Sequence, residues 1–182
     1  VFGIILVLHI VILLFQYFVA GTVAKKNPIM LLKNMLPAYF TAVGTQSSAA
    51  TIPITVASTK HNGVSDSIAE FVCPLCATIH LSGSTITLTS CAMAIMMLNG
   101  WTVSFGAMFP FILMLGVTMV AAPGVPGGAV MAALGVLESM LGFNEPMLAL
   151  MIALYIAQDS FGTACNVTGD GAIAVFMDAI TH

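Results

Sequence analysis

The sequence predicts an all-α membrane protein in which crossing helices alternate with two re-entrant helical hairpins. Three observations carry this expectation. Of 182 residues, 59% are hydrophobic and 6% charged, with mean hydropathy +1.08, whereas a soluble domain carries about 25% charged residues. Several apolar runs are too short to cross about 30 Å of hydrocarbon and meet in pairs at tips rich in Ser, Gly or Pro. The stretch QDSFGTACNVTGDG, residues 158–171, sets two acids, a hydroxyl and an amide at helical spacing in this apolar background.

Residues 1–22 read as a first transmembrane helix. They lack the basic leader and small-residue cleavage site of a signal peptide. The sequence opens without Met and already inside a helical run, so a fragment of a longer protein is expected. His9 sits on an apolar stripe of this helix and reads as a buried structural imidazole. Residues 29–60 read as the first re-entrant hairpin, with arms from about Met30 to Thr45 and from Thr51 to Thr59 meeting at the tip GTQSSAATIP. After KHNGVSD, residues 68–98 form a crossing helix broken at HLSGS, His80 to Ser84. Such breaks expose carbonyls and helix ends that bind ions.

Asn99-Gly100 marks a turn and Trp101 an interfacial anchor. Residues 102–141 form the second hairpin, with APGVPGGA, Ala122 to Ala129, at its tip. GFNEP then leads into a polar-faced transmembrane helix over residues 146–180. All four lysines fall between the first and second crossings, so that side is cytoplasmic by the positive-inside rule. The first hairpin then enters from the cytoplasm and the second from outside. Two opposed hairpins, each followed by a crossing helix, make an inverted repeat with a midplane site.

Asp159, Thr163, Asn166 and Asp170 are spaced i, i+4, i+7 and i+11, which confines them to an arc of ~60° on one helix. Acids at membrane depth are costly and by default serve a protein-lined cavity; the bland alternative is a polar seam between helices. Cys73 and Cys76 form a C-P-L-C pair in an apolar run without βαβ context and read as inert buried thiols. The net charge of −3 and the lack of any basic tract exclude a nucleic-acid partner.

SSAATIP, PLCATIHLSGS, PGVPGGA and NVTGD occur in the order seen in the glutamate transporter family, the dicarboxylate/amino acid:cation symporters, and the whole chain resembles the C-terminal half of such a protein. The resemblance implies that residues 1–182 are a transport domain. Such a domain slides as an elevator past a scaffold that trimerises and lies outside this chain. It places Asp159 against a substrate ammonium, Asn166 and Ser48 on its carboxylate, and Thr163 and Ser84 beside it, with Val125 and Gly127 closing the lid. It implies one sodium ion held by Asp170 with carbonyls of Cys76, His80 and Asn166. A second would be held by carbonyls of Thr78, Met119, Val120 and Ala122. The resemblance also implies a multi-pass protein of a cell membrane, expected to be a bacterial inner membrane.

Two departures matter. Gly162 stands where acidic-substrate members keep an Arg, and the chain has no Arg at all; a bidentate partner for a second carboxylate is therefore missing, and empty volume beside Gly162 is expected. HLSGS replaces the usual NMDGT, so His80 and Ser82 stand in place of two ligands of a third sodium. His80 also adds a side-chain type that changes charge near neutral pH, which brings in proton coupling. A sodium-coupled carrier of a neutral amino acid such as serine, threonine or alanine is the first reading. Alternatives are a symporter of a dicarboxylate, acidic amino acid or cystine with proton coupling, and a channel built on re-entrant loops. An intramembrane aspartyl protease fails on geometry, because Asp159 and Asp170 lie ~16 Å apart along one helix.

Overall fold

A computed structural model describes residues 1–181; His182, the last residue of the expected transport domain, lies outside them. Ten helices and no strand form among the described residues: α1 Phe2–Ala24, α2 Pro28–Asn34, α3 Leu36–Thr45, α4 Ser48–His61, α5 Asp66–Ile79, α6 Ser82–Leu98, α7 Phe105–Met119, α8 Gly128–Leu141, α9 Glu145–Ile156 and α10 Asp159–Thr181.

By length and composition α1 can cross a bilayer, as can the α5–α6 pair and the α9–α10 pair if each is taken as one span. Helices α3 with α4, and α7 with α8, are the two hairpins. At 14 residues each, α4 and α8 reach only ~21 Å. Local chemistry sets their ends. The Asn27 side chain caps α2 by accepting from Ile29 and Met30 N–H, with Pro28 opening the helix. Ser47 caps α4 through Ala50 N–H, and Asn144 caps α9 through Met147 N–H.

The hairpin tips touch. Gly124 O accepts from Ala49 N–H at 3.2 Å and from the Ser47 hydroxyl at 2.7 Å. Gly124 also lies against the end of α5, where an added Cβ would come within 3.0 Å of Ala77 O. Around this point the apolar residues divide into two clusters. One joins α6 to α9 and includes Phe111, Leu137 and Met151. The other joins α1 to α5 with α10 and includes Tyr17, Met35 and Val167.

Helix α10 packs against α1, α3, α4, α5 and α6, so its polar stripe is enclosed on every side. Its break from α9 differs from the unbroken helix expected over residues 146–180. The two segments meet at an angle of 61°. No Gly or Pro marks the break. Gln158 makes it, its backbone N–H turning back to Tyr155 O and its side-chain amide donating to Leu154 O at 2.9 Å. All four cysteines are buried free thiols.

Candidate functional site

Asp159 opens α10, where the helix dipole favours a carboxylate. Its Oδ2 accepts from Gly127 N–H at 2.7 Å and its Oδ1 from the Thr163 hydroxyl at 3.3 Å. Gly127 can aim its N–H this way because it sits at φ +72°, a left-handed turn that opens α8. Two turns along, Asn166 is bound to the start of α6. Its Oδ1 accepts from Gly83 N–H at 2.8 Å and Ser84 N–H at 3.2 Å, and its Nδ2 donates to Ser84 Oγ at 2.8 Å. Asn166 thereby satisfies N–H groups left unpaired by the helix break.

These residues line a narrow, nearly filled cleft between the tips, with about 10 Å³ of free space. Of the expected substrate residues it brings together Ser48, Ser84, Val125, Asp159, Thr163 and Asn166. Gly127 touches it only through the bond to Asp159. Gly162 stands outside. A Cβ there would meet Thr87 Oγ1 at 3.5 Å and Ser84 N at 3.6 Å, so it faces the seam between α10 and α6. Beside Gly162 there is room for a Cβ at ordinary contact distances, with Gly83, Ser84 and Thr87 as its neighbours. Larger grooves elsewhere, such as that lined by Phe15, Val19 and Phe176, are open and apolar.

The second acid lies deeper. His80 Nδ1 is 2.8 Å from Asp170 Oδ1, and Gln16 Nε2 lies 3.1 Å from His80 Nε2. An amide nitrogen only donates, so His80 Nε2 accepts and its hydrogen sits on Nδ1, facing Asp170. Asp170 Oδ2 is buried with no hydrogen-bond partner, as are Gln16 Oε1 and Thr168 Oγ1. An orphaned carboxylate oxygen of this kind fits a small hard cation. Of the other expected ligands, Cys76 O already accepts from His80 N–H at 2.8 Å.

The second expected ion set is spread over two elements. Thr78 is exposed near the end of α5, its hydroxyl donating back to Leu75 O. Met119 ends α7 and its carbonyl accepts from Ala122 N–H at 3.1 Å, with Val120 exposed between them. The approach of Gly124 to Ala77 O puts this tip against the carbonyl end of α5, the negative end of a helix dipole. No group of three or more His, Cys, Asp or Glu side chains gathers among the described residues, so a cation here would depend largely on carbonyls.

Sequence reasoning missed three contributors. Tyr155 lines the cleft and lies one turn before Asp159, so the i, i+4 spacing could have added it to the stripe. Gln16 is a lone amide in an apolar span, a signal in itself. Gln46 holds the first tip to α10 by donating to Ser160 Oγ at 2.9 Å. His9 is the buried structural imidazole expected, its Nε2 lying 3.0 Å from Gly83 O and 3.1 Å from Thr87 Oγ1 and so bracing the break before α6.

Two half-crossing hairpins closed over buried acids, with broken helices behind them, make up the architecture of a secondary carrier. The chain belongs to the sodium:dicarboxylate symporter family, which it matches over residues 1–180. It is 34% identical to human excitatory amino acid transporter 5 over 94% of its length, covering 30% of that protein. It is likewise 34% identical to rat excitatory amino acid transporter 1 over 97% of its length, covering 32% of that protein. An excitatory amino acid transporter of Caenorhabditis elegans is 33% identical over 80% of the chain and 29% of the relative. The chain thus spans about a third of the curated relatives it matches. The family is one of symporters, so the protease reading falls with it.

Proposed function

We propose that this chain is the transport domain of a cell-membrane symporter that couples sodium to the uptake of a small neutral amino acid. One observation carries the substrate class. The cleft holds one carboxylate, Asp159, and no Lys or Arg among its lining. Asp159 suits an ammonium, while the Ser48 end of α4 and the remaining N–H of Asn166 suit an α-carboxylate. A second substrate carboxylate would lie buried without a cationic partner, at a cost of several kcal/mol. The family's name and the relatives' names refer to dicarboxylates and excitatory amino acids. The absence of arginine in this sequence is the reason to depart from them.

Sodium entering with the substrate would neutralise Asp170 through its unpaired Oδ2, with the carbonyl set of Thr78, Met119, Val120 and Ala122 as a second place. His80 holds the other Asp170 oxygen, which supports one or two ions rather than three and keeps proton participation as the second reading. We further infer an elevator movement on a trimeric scaffold, supported by family membership and by a cleft lined entirely by this chain's own residues.

The test is uptake of labelled serine by the intact polypeptide in proteoliposomes, with and without a sodium gradient. Sodium-dependent uptake, competed by serine, threonine or alanine and poorly by aspartate, is expected. Aspartate outcompeting serine would overturn the substrate class.

A further inference from the structure

At the foot of α1 the chain folds into a tight corner. Lys25 turns through a left-handed conformation at φ +54°, and Lys26 N–H returns to Gly21 O at 2.9 Å. Position 21 takes only glycine, since a Cβ would lie 2.8 Å from both Lys26 O and Pro28 Cγ. The corner delivers the Lys26 ammonium to the end of α4, where it donates to Asn62 O at 2.8 Å and Gly63 O at 3.1 Å. These carbonyls lie at the negative end of the α4 dipole, which Lys26 offsets.

Beside this clamp is a recess with about 270 Å³ of free space, whose lining includes Lys26, Asn27, Met30, Asn34 and His61. Its polar groups have donors to spare. Asn27 Oδ1 accepts from Ile29 and Met30 N–H, and Asn62 Oδ1 accepts from Asn34 Nδ2 at 2.9 Å. An ammonium carries three hydrogens and a carboxamide two. Lys26 therefore keeps one, Asn34 one and Asn27 two, next to the exposed His61 ring. Among the described residues no Asp or Glu lines the recess. Asp66 and Glu70 are held off by Lys60, at 3.2 Å and 2.6 Å. A separate apolar groove with about 410 Å³ of free space follows α1 past Leu14, Phe15 and Phe18 to Pro28 and Ile29. Ile29 borders this groove and Met30 borders the recess, and these neighbours are 62% and 65% exposed.

We propose that this corner binds an anionic phospholipid. The phosphate headgroup occupies the recess and an acyl chain lies in the α1 groove, across the Ile29–Met30 edge of α2. Spare N–H donors and an absence of acids suit a phosphate, and the groove offers a place that only a lipid can use. Depth agrees. Helix α1 is long and apolar enough to cross a bilayer and ends at Ala24, which sets the recess at headgroup level. All four lysines lie at this end, the end that the positive-inside rule assigns to the cytoplasm. Basic pockets between helices on that side suit anionic headgroups, whereas a choline headgroup would bring a further cation to them. The recess shares no lining residue with the cleft between the tips, so lipid binding is independent of which substrate is carried.

The test is the melting temperature of the intact protein in detergent, titrated with phosphatidylglycerol, phosphatidylcholine or soluble glycerol phosphate. Wild type should be half-saturated by phosphatidylglycerol at a concentration about fivefold or more below that for phosphatidylcholine. Lys26→Met removes the ammonium, and Met30→Glu puts an acid on the exposed edge between recess and groove. Each should lose most of the phosphatidylglycerol increment. Lys60→Met, which changes net charge equally but lies outside the recess, should keep it. Where one recess variant fails to fold, the other decides. Equal response of wild type to both lipids overturns the site, as does an increment that survives in every recess variant that folds. Loss of the increment in Lys60→Met to the same extent would reduce the effect to general charge attraction and overturn it too. Glycerol phosphate reproducing the whole increment would make the recess a soluble-phosphate site and overturn the lipid.

Discussion

Gly127 N–H and Asp159 Oδ2 are 2.7 Å apart, so the second hairpin tip is tied to the first turn of α10 through the same carboxylate assigned to the substrate ammonium. An arriving ammonium and the Gly127 amide therefore address one anion.

Asp159→Asn keeps an acceptor for Gly127 and removes the charge. Loss of one partner of a buried ion pair costs about 3–5 kcal/mol. Serine should therefore compete at least about a hundredfold more weakly in the variant, as read by displacement of labelled substrate. Unchanged competition would remove Asp159 from ammonium recognition.

Asp170→Asn replaces a buried carboxylate whose Oδ2 has no partner. Sodium bound at Asp170, as proposed, should raise the wild-type melting temperature through mass action. The variant should lose most of this sodium-dependent increment, with potassium controls equal in both proteins. A sodium shift equal to wild type would place the ion elsewhere.

His80 engages one oxygen of Asp170 at 2.8 Å and is itself held by Gln16. His80→Asn shortens that side chain and releases Asp170 Oδ1, so the half-saturating sodium concentration should fall several-fold. Gln16→Ala, which only loosens the imidazole, should shift it in the same direction by less. A rise in both variants would make the imidazole a support of the ion site instead of an occupant.

Gly162→Ala should be tolerated, because the added Cβ would find ordinary contacts of 3.5 Å and 3.6 Å. Gly162→Arg puts a guanidinium into the α6–α10 seam, where an unpaired charge costs several kcal/mol. The Arg variant should melt lower and gain no aspartate uptake. A stable Arg variant that transports aspartate would mean the side chain finds its way into the cleft.

The stripe from Asp159 to Asp170 was legible because four polar side chains at helical spacing stand out against an apolar chain, and membrane cost makes such groups informative. The paired short arms gave the hairpins for a similar reason, being too short to cross alone. Tyr155 and Ser84 were harder to read as a pair, since 71 residues separate them and only the folding of α9 against α6 brings their hydroxyls together. The break at Ala157–Gln158 carries no glycine or proline. It depends on Gln158 bonding back to Leu154 and Tyr155, an arrangement that composition does not announce. At Gly162 the sequence tells which side chain is absent, and only the fold tells that the position faces Gly83, Ser84 and Thr87.

Both hydrogen bonds between the hairpin tips end on one atom, the carbonyl oxygen of Gly124. Two neutral bonds contribute about 1–3 kcal/mol together, and they must be lost as a unit when that single peptide turns away. Rotation of one peptide plane would then unlatch two helical hairpins, and at this energy the unlatched form would hold on the order of 1–10% of molecules. Amide exchange at Ala49 reports that population directly, because its N–H has Gly124 O as its acceptor; exchange as slow as in the centre of α10 would mean the tips open only when the whole domain does.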